Sequence, residues 1–242
     1  MTNPLYPAFF RLDRLQLLVV GAGAVGEEKL RFILKSSPNA RVTIVATWMG
    51  EELRQLLEKL GGDAGAGFTT PEGGTITYHQ RAFRPEDVLG ADLVVAATDI
   101  REVNHAVHAA AKQHRRLCNI ADTPELCDFY LGSIVTRGPL KVAISTNGQS
   151  PTFAKRFRQW LEAELPEFET TNLLDDLRTF RDRLTGDFQS KVRELNTVTA
   201  SLLSSARAGH RCPPGGCLLD ATIEAAARQP SAGGEPDPKE PS

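Results

Sequence analysis

Three glycines spaced Gly21-x-Gly23-x-x-Gly26 close an apolar run at residues 15–20 (LQLLVV) and open a stretch with helical periodicity. In that setting each has its own task. Gly21 permits the tight turn, Gly23 lets backbone approach a pyrophosphate, and Gly26 allows close packing of helix on strand. Ala24 and Val25, just inside the helix start, offer free N–H groups at the positive end of its dipole. Between a strand and a helix this spacing is a dinucleotide-binding signature. One element of it is missing. An Asp or Glu about 20 residues on usually takes the ribose hydroxyls, whereas RVTIVATWMG ends its strand with Ala46, Thr47 and Trp48. No Arg or Lys follows closely to hold a 2′-phosphate. NAD is therefore expected over NADP, with Thr47 and Trp48 as adenosine-side contacts through backbone and hydroxyl.

A second chemical spot is VVAATD, ending in Thr98 and Asp99. Ligands of open parallel sheets bind outside the carboxyl ends of the strands. Small Ala96 and Ala97 let a nicotinamide ribose approach and Thr98 could bond it; equally, Thr98 or Asp99 could cap the helix near Asn104. Asp122, after LCNIA and before Thr-Pro, reads by itself as a turn or cap residue. Ser150-Pro151 opens another helix, a favoured pairing of N-cap and first residue, and ISTNGQSP before it could present a helix N-terminus to an anion. His105 and His108 at i, i+3 read as ordinary helix residues, and Cys118 and Cys127 as small buried ones. No fixed metal site is expected. Cys212 and Cys217, separated by PPGG, match no zinc spacing.

The elements that must position these residues follow from periodicity. Apolar runs at 15–20, 41–46, 75–80, 91–98 and 116–122 read as strands, buried on both faces as in a parallel sheet. The stretches 27–37, 50–60 and 104–115 read as helices, with Val25, Leu30, Ile33 and Leu34 on one stripe. RPEDVLG reads as one helical turn, and the glycine-rich 60–74 as a surface loop. This alternation predicts an α/β, Rossmann-type doubly wound parallel sheet over residues 1–115. Two strands then flank Arg137-Gly138-Pro139 within 116–150, and a helical domain follows at 151–205. Phe153, Phe157, Trp160, Leu161 and Leu165 form the apolar face of its first helix, and Gly186 interrupts a longer stretch at 172–205. Residues 206–242 read as a largely disordered tail with one short helix in LLDATIEAAARQ. The composition, 242 residues with 41% hydrophobic and a formal charge of −2, argues against nucleic-acid binding. No apolar run reaches the ~20 residues of a membrane span, and the N-terminus lacks the basic lead-in of a signal peptide. A cytoplasmic protein is expected.

The ordered set YPAFFRLDRLQLLVVGAGAVGEEKLRFIL, VVAATDIREVN and LCNIADTPELCDFYLGSIVTRGPLKVAISTNGQSPTFAKRFRQWLE resembles the siroheme synthase family. The likeness is to its precorrin-2 dehydrogenase/sirohydrochlorin ferrochelatase domain in free-standing form, without the methyltransferase segment, and runs from about Leu5 to about Leu203. The resemblance implies NAD-dependent oxidation of precorrin-2 to sirohydrochlorin and, in bifunctional members, insertion of Fe²⁺ to give siroheme. Dehydrogenation alone, with a separate chelatase, is the alternative; a non-catalytic NAD-sensing module is a remoter one. It also implies an intertwined homodimer, with 116–150 as the dimerisation segment. Asp122 matches the aspartate of the family's C-N-x-x-D motif and is expected to be catalytic in both activities. The tetrapyrrole's carboxylates would meet Asn147, Gly148, Ser150 and Arg137, with Lys141, Lys155, Arg156 and Arg158 framing the cleft.

Overall fold

The structure, a computed structural model, describes residues 3–60 and 67–209, with side chains described as far as residue 200. The chain divides into two compact units, Met1–Leu174 and Asp175–Ser242.

The first unit begins with β1 (Gln16–Val20), α1 (Ala24–Ser36), β2 (Arg41–Ala46), α2 (Glu51–Glu58), β3 (Phe68–Thr69), β4 (Thr75–Gln80), β5 (Leu93–Ala96), α3 (Arg101–Gln113) and β6 (Leu117–Ile120). Among the described residues these strands form a sheet of order β3-β4-β2-β1-β5-β6, parallel except for the β3–β4 pair. Chain direction across the sheet reverses at β1, which lies between β2 and β5, so its carboxyl end is the switch point where such sheets bind ligands. β6 pairs with β5 from Leu93↔Leu117 to Ala96↔Ile120, carrying the sheet past residue 115 because Cys118 and Ile120 belong to the same buried layer as Val94, Ala96 and α3.

One sheet face packs Leu17, Val19, Val42, Ile44, Ile76 and Val95 against Leu30 and Ile33 of α1 and Leu53 and Leu57 of α2. The other packs Leu18, Val20, Val94, Ala96 and Ile120 against Val107, Ala110 and Ala111 of α3. The crossover from β4 to β5 is one 3-10 turn, Pro85–Gly90, as RPEDVLG suggests. It seats Val88 in this second layer but is too short to cover β2 and β4. Their outer residues Arg41, Thr75, Thr77 and His79 are exposed and Thr43 half-buried. The sheet is dry on one side and wet on part of the other.

Three expectations are corrected here. Val25 is 38% exposed rather than in the α1 core stripe, whose buried residues are Gly26, Leu30 and Ile33. The 60–74 stretch is not all surface loop: Phe68 and Thr70 are buried, β3 pairs antiparallel with β4, and Thr70 Oγ1 donates to Pro38 O at 2.5 Å while accepting from the Gly74 amide at 2.8 Å. α3 also begins three residues before Asn104.

After the sheet come β7 (Ser133–Arg137), β8 (Leu140–Ile144), α4 (Pro151–Glu164) and α5 (Glu167–Arg183). β7 and β8 are an antiparallel hairpin on which α4 packs through Ala154, Phe157 and Leu161 against Val135, Val142 and Ile144. The rest of the apolar face expected on α4 is not all buried, with Phe153 43% and Trp160 51% exposed. In the second unit α6 (Phe188–Gly209) begins just after Gly186, which has φ of +102° and lies three residues beyond the end of the preceding helix. Beyond Gly209 the expected tail, its short helix and Cys212 and Cys217 lie outside the described residues.

Candidate active site

The glycine turn is built as its spacing requires. A Cβ on Gly21, which has φ of +106°, would stand 2.4 Å from Ala97 O; one on Gly26 would stand 2.2 Å from Gly21 O. Gly21 therefore touches the end of β5, and Gly26 seats α1 on the turn. Gly23 differs, since its Cβ would meet only the Trp48 ring, at 3.4 Å. It is the N-cap of α1 and no side chain caps that end. The first-turn amides of Ala24 and Val25 thus face outward above a bare backbone, a cradle that suits a diphosphate.

Hydrogen bonds lock the neighbouring strand ends to this turn. The Gly21 amide donates to Val45 O at 3.0 Å, that of Ala97 to Val20 O at 2.8 Å, and that of Ala121 to Ala96 O at 2.9 Å. The carboxyl ends of β2, β1, β5 and β6 are therefore contiguous, carrying Thr47 and Trp48, the glycine turn, Thr98, and Asp122 in that order. Neither Thr98 nor Asp99 caps α3, whose N-cap is Ile100 with no side-chain cap bond, because the Thr98 side chain is engaged with Asn104 inside the helix. The Thr98 hydroxyl lies 2.7 Å from Asn104 Oδ1, and Asn104 Nδ2 donates to Thr98 O at 2.9 Å. Asn104, buried at 8% exposure, was not singled out by its sequence; a polar residue on an otherwise apolar helix stripe is the signal that could have found it.

Asp122 is exposed, has φ of +56°, and its carboxylate has no hydrogen bond or ion pair among the described residues. Everything around it is braced. Cys127 Sγ accepts from the Ile120 amide at 3.2 Å and from Asn119 Nδ2 at 3.4 Å, and lies 3.4 Å from Thr123 O. Asn119 Nδ2 also donates to Phe129 O at 2.9 Å. Asp128 accepts from the Cys118 amide at 3.0 Å and pairs with Lys112. The result is a free acid on a fixed loop. Cys118 is fully buried, and that burial, aided by Asp128, pushes its thiol up to about 12, so it is no nucleophile.

Burial alone would raise the Asp128 carboxyl, but Lys112 and the Cys118 amide together hold it below its ordinary value. The Arg81 guanidinium does the same for Asp87. A depressed folded-state pKa gives stability that is present above the unfolded value, about 3.9, and lost as pH falls through the folded one. The melting temperature is expected to fall below about pH 4, and Asp128→Asn to lessen that dependence in thermal melts followed by circular dichroism.

The expected substrate residues separate into two places. Asn147 and Ser150 line one cavity with Asn3, Ser145, Thr146, Gln149 and Phe153; Gly148, between them in the chain, is not part of that lining. Asn147 and Gly148 take positive φ, 53° and 77°, and Ser150 Oγ accepts from the Phe153 amide at 3.2 Å, so this serine caps α4. Arg137 lies at the opposite end of the hairpin, paired with Leu140 across its tip. Its guanidinium donates to Leu165 O at 2.6 Å and to the carbonyls of Glu162 and Thr136. It closes the C-terminus of α4 and is not among the residues lining that cavity. Lys141 donates to Ser36 O and Arg158 pairs with Glu162 at 2.6 Å; these too hold the fold. Lys155 and Arg156 are exposed. Among the described residues no three His, Cys, Asp or Glu side chains group as a metal site, and no helix is long and apolar enough to cross a membrane.

This geometry has relatives. The model of an NAD(P)-binding family matches residues 8–133, and that of the sirohaem biosynthesis protein central region matches residues 137–164. Siroheme synthase 3 of Aeromonas hydrophila is 39% identical over 161 residues, 66% of this chain and 31% of that protein. The siroheme synthase of Nitrosomonas europaea is 35% identical over 178 residues, 74% of this chain and 34% of that protein. The chain thus spans about a third of the length of these curated relatives. Among solved structures, the precorrin-2 dehydrogenase SirC superposes with a TM-score of 0.60 at 26% identity, covering 80% of this chain and 89% of that one. The nucleotide cradle at the switch point and the hairpin and helix after it agree with these matches: the chain belongs to the NAD(P)-binding family over residues 8–133, and directly after it is similar to the central region of sirohaem biosynthesis proteins at 137–164.

Proposed function

We propose that the chain oxidises precorrin-2 to sirohydrochlorin with NAD, and then inserts Fe²⁺, as substrate, to give siroheme. What supports this most directly is the pairing of a diphosphate cradle at Gly21–Gly26 with a free carboxylate, Asp122, on a braced loop two strands away. NAD, when bound, supplies a nicotinamide ring that accepts a hydride. The chain's residues do the rest. The amides above Gly23 hold the diphosphate, the Asn104–Thr98 pair fixes the wall at the end of β5, and Trp48 and Thr47 meet the adenosine.

Oxidation of the macrocycle removes a hydride and a proton. Asp122 accepts that proton as general base. In chelation, two pyrrole N–H protons leave as the metal enters; the same carboxylate, having released its earlier proton to solvent, takes one of them and water takes the other. Asn147, Gly148 and Ser150, with the amides at the start of α4, receive substrate carboxylates; Arg137 acts only by holding α4 in place. We further propose a cytoplasmic homodimer in which 116–150 joins the two copies and 151–205 forms the helical domain.

The test is direct. Incubation with precorrin-2 and NAD is expected to give the sirohydrochlorin absorbance, and addition of Fe²⁺ that of siroheme. Supplying sirohydrochlorin and Fe²⁺ without NAD separates chelation from oxidation. A chain that reduces no NAD in the presence of precorrin-2 would refute the proposal.

A further inference from the structure

We infer that Cys127 is a positioning residue for Asp122: its thiol stands where a further strand would pair with β6, and it clasps the loop that carries the carboxylate. The inference rests on reading Asp122 as the general base and adds the group that sets it for proton transfer.

β6 is the last strand of its sheet, paired with β5 on one edge only. On the open edge its amides turn to side chains. Asp128 Oδ2 accepts from the Cys118 amide at 3.0 Å, and Cys127 Sγ from the Ile120 amide at 3.2 Å. Ile120 is buried at 2% exposure, so without the sulfur that amide would be an unpaired buried donor.

The chain then folds back on itself. The Thr123 amide donates to Ile120 O at 3.3 Å, that of Leu126 to Thr123 O at 3.1 Å, and that of Cys127 to Pro124 O at 3.1 Å. Asp122 sits inside this turn with φ of +56°, a left-handed backbone that an L residue holds only where its surroundings impose it. Asp128 and Asn119 fasten the stretches before and after the turn, at Cys118, Lys112 and Phe129. Tyr130 Oη donates to Pro124 O at 3.2 Å. Of these groups, the Cys127 sulfur is the one that meets backbone on both sides of Asp122, at Ile120 and Thr123.

A thiol suits this task. Burial pushes it up from its ordinary value, so at neutral pH it keeps its proton and offers both an acceptor and a donor. While it accepts from the Ile120 amide, the sulfur lies 3.3 Å from Ile120 O and 3.4 Å from Thr123 O, either of which takes the S–H. With its bonds turned inward it acts as a clasp and not as a nucleophile.

The test is a mutant cycle on the full chain, read as single-turnover oxidation of precorrin-2 with NAD saturating. Cys127→Ala is expected to slow the step by about ten- to hundredfold, as for a catalytic group displaced by about an ångström. NAD affinity by calorimetry is expected to change by less than about twofold. Cys127→Ser, which restores donor and acceptor, is expected to recover most of the rate. In an Asp122→Asn background the same Cys127→Ala change should cost less than about twofold, because the group it positions is gone. A folded Cys127→Ala chain at the wild-type rate, or equal losses in the two backgrounds, would overturn the inference. Cys127→Val fills the space without hydrogen bonds and repeats the cycle should alanine prevent folding. In the wild type, the Ile120 amide is expected to resist deuterium exchange as long as that of Ala121; exchange as fast as that of Asp122 would overturn the clasp without any substitution. Full turnover by Asp122→Asn would instead refute the general-base reading itself.

Discussion

Asp122→Asn is expected to bind NAD as tightly as the wild type while oxidising precorrin-2 about 10²–10⁴-fold more slowly, the range by which a positioned acid or base accelerates a proton transfer. Asparagine is the informative replacement. It keeps the shape and tolerates the φ of +56° that residue 122 adopts, where alanine would add left-handed strain of about 1–2 kcal/mol. No partner is orphaned, because the carboxylate has none among the described residues, and the loop is held by Cys127, Asn119 and Asp128 instead. Calorimetry with NAD and single-turnover absorbance with precorrin-2 separate binding from chemistry. Full turnover in a folded Asn variant would remove Asp122 from the mechanism.

The second large effect belongs to the glycine turn, whose three members should fail differently. Gly21→Ala combines a positive φ with a Cβ placed 2.4 Å from Ala97 O; backbone strain and overpacking together predict a loss of about 2–5 kcal/mol and no measurable coenzyme binding. Gly26→Ala fails in a related way, its Cβ falling 2.2 Å from Gly21 O. Gly23 has φ of −80° and meets only the edge of Trp48. Gly23→Ala is thus expected to melt near the wild-type temperature yet lose affinity for NAD, because the methyl group stands where the diphosphate must approach. Thermal melts beside coenzyme titrations for the three variants test this ordering. Equal stability throughout would mean the turn is looser than its contacts require.

Much of this architecture was legible because its signals are local. Unbroken apolar runs such as LQLLVV mark strands buried on both faces, and glycine spacing marks the switch-point turn. Asp122 could be placed just after the last strand of the sheet. What escaped was set by partners distant in sequence. Arg137 looked like an anion ligand because nothing nearby in the chain shows that it meets the carbonyls of Glu162 and Leu165. Lys141 likewise gave no sign of reaching Ser36, 105 residues away. Val25 fits a helical stripe by spacing, but in the first turn of α1 it points past the sheet. β3 is two residues long, too short for any period to show. The braces of the Asp122 loop are sulfur and amide contacts that no residue pattern announces.

The abbreviated link between β4 and β5 has a dynamic corollary. With Thr77 and His79 exposed, β4 has apolar packing on one side only and β2 reaches the second layer through Val45 alone, whereas β1 and β5 are enclosed on both. Opening free energies follow such differences in packing. Deuterium should enter the β4 amides well before those of β5, and the adenosine end of the coenzyme would lie at the border of that softer half. NAD is then expected to slow uptake in β2 and β4 while scarcely altering β5 and β6: ligation would stiffen the half that breathes and leave the half bearing the acid as rigid as it already is.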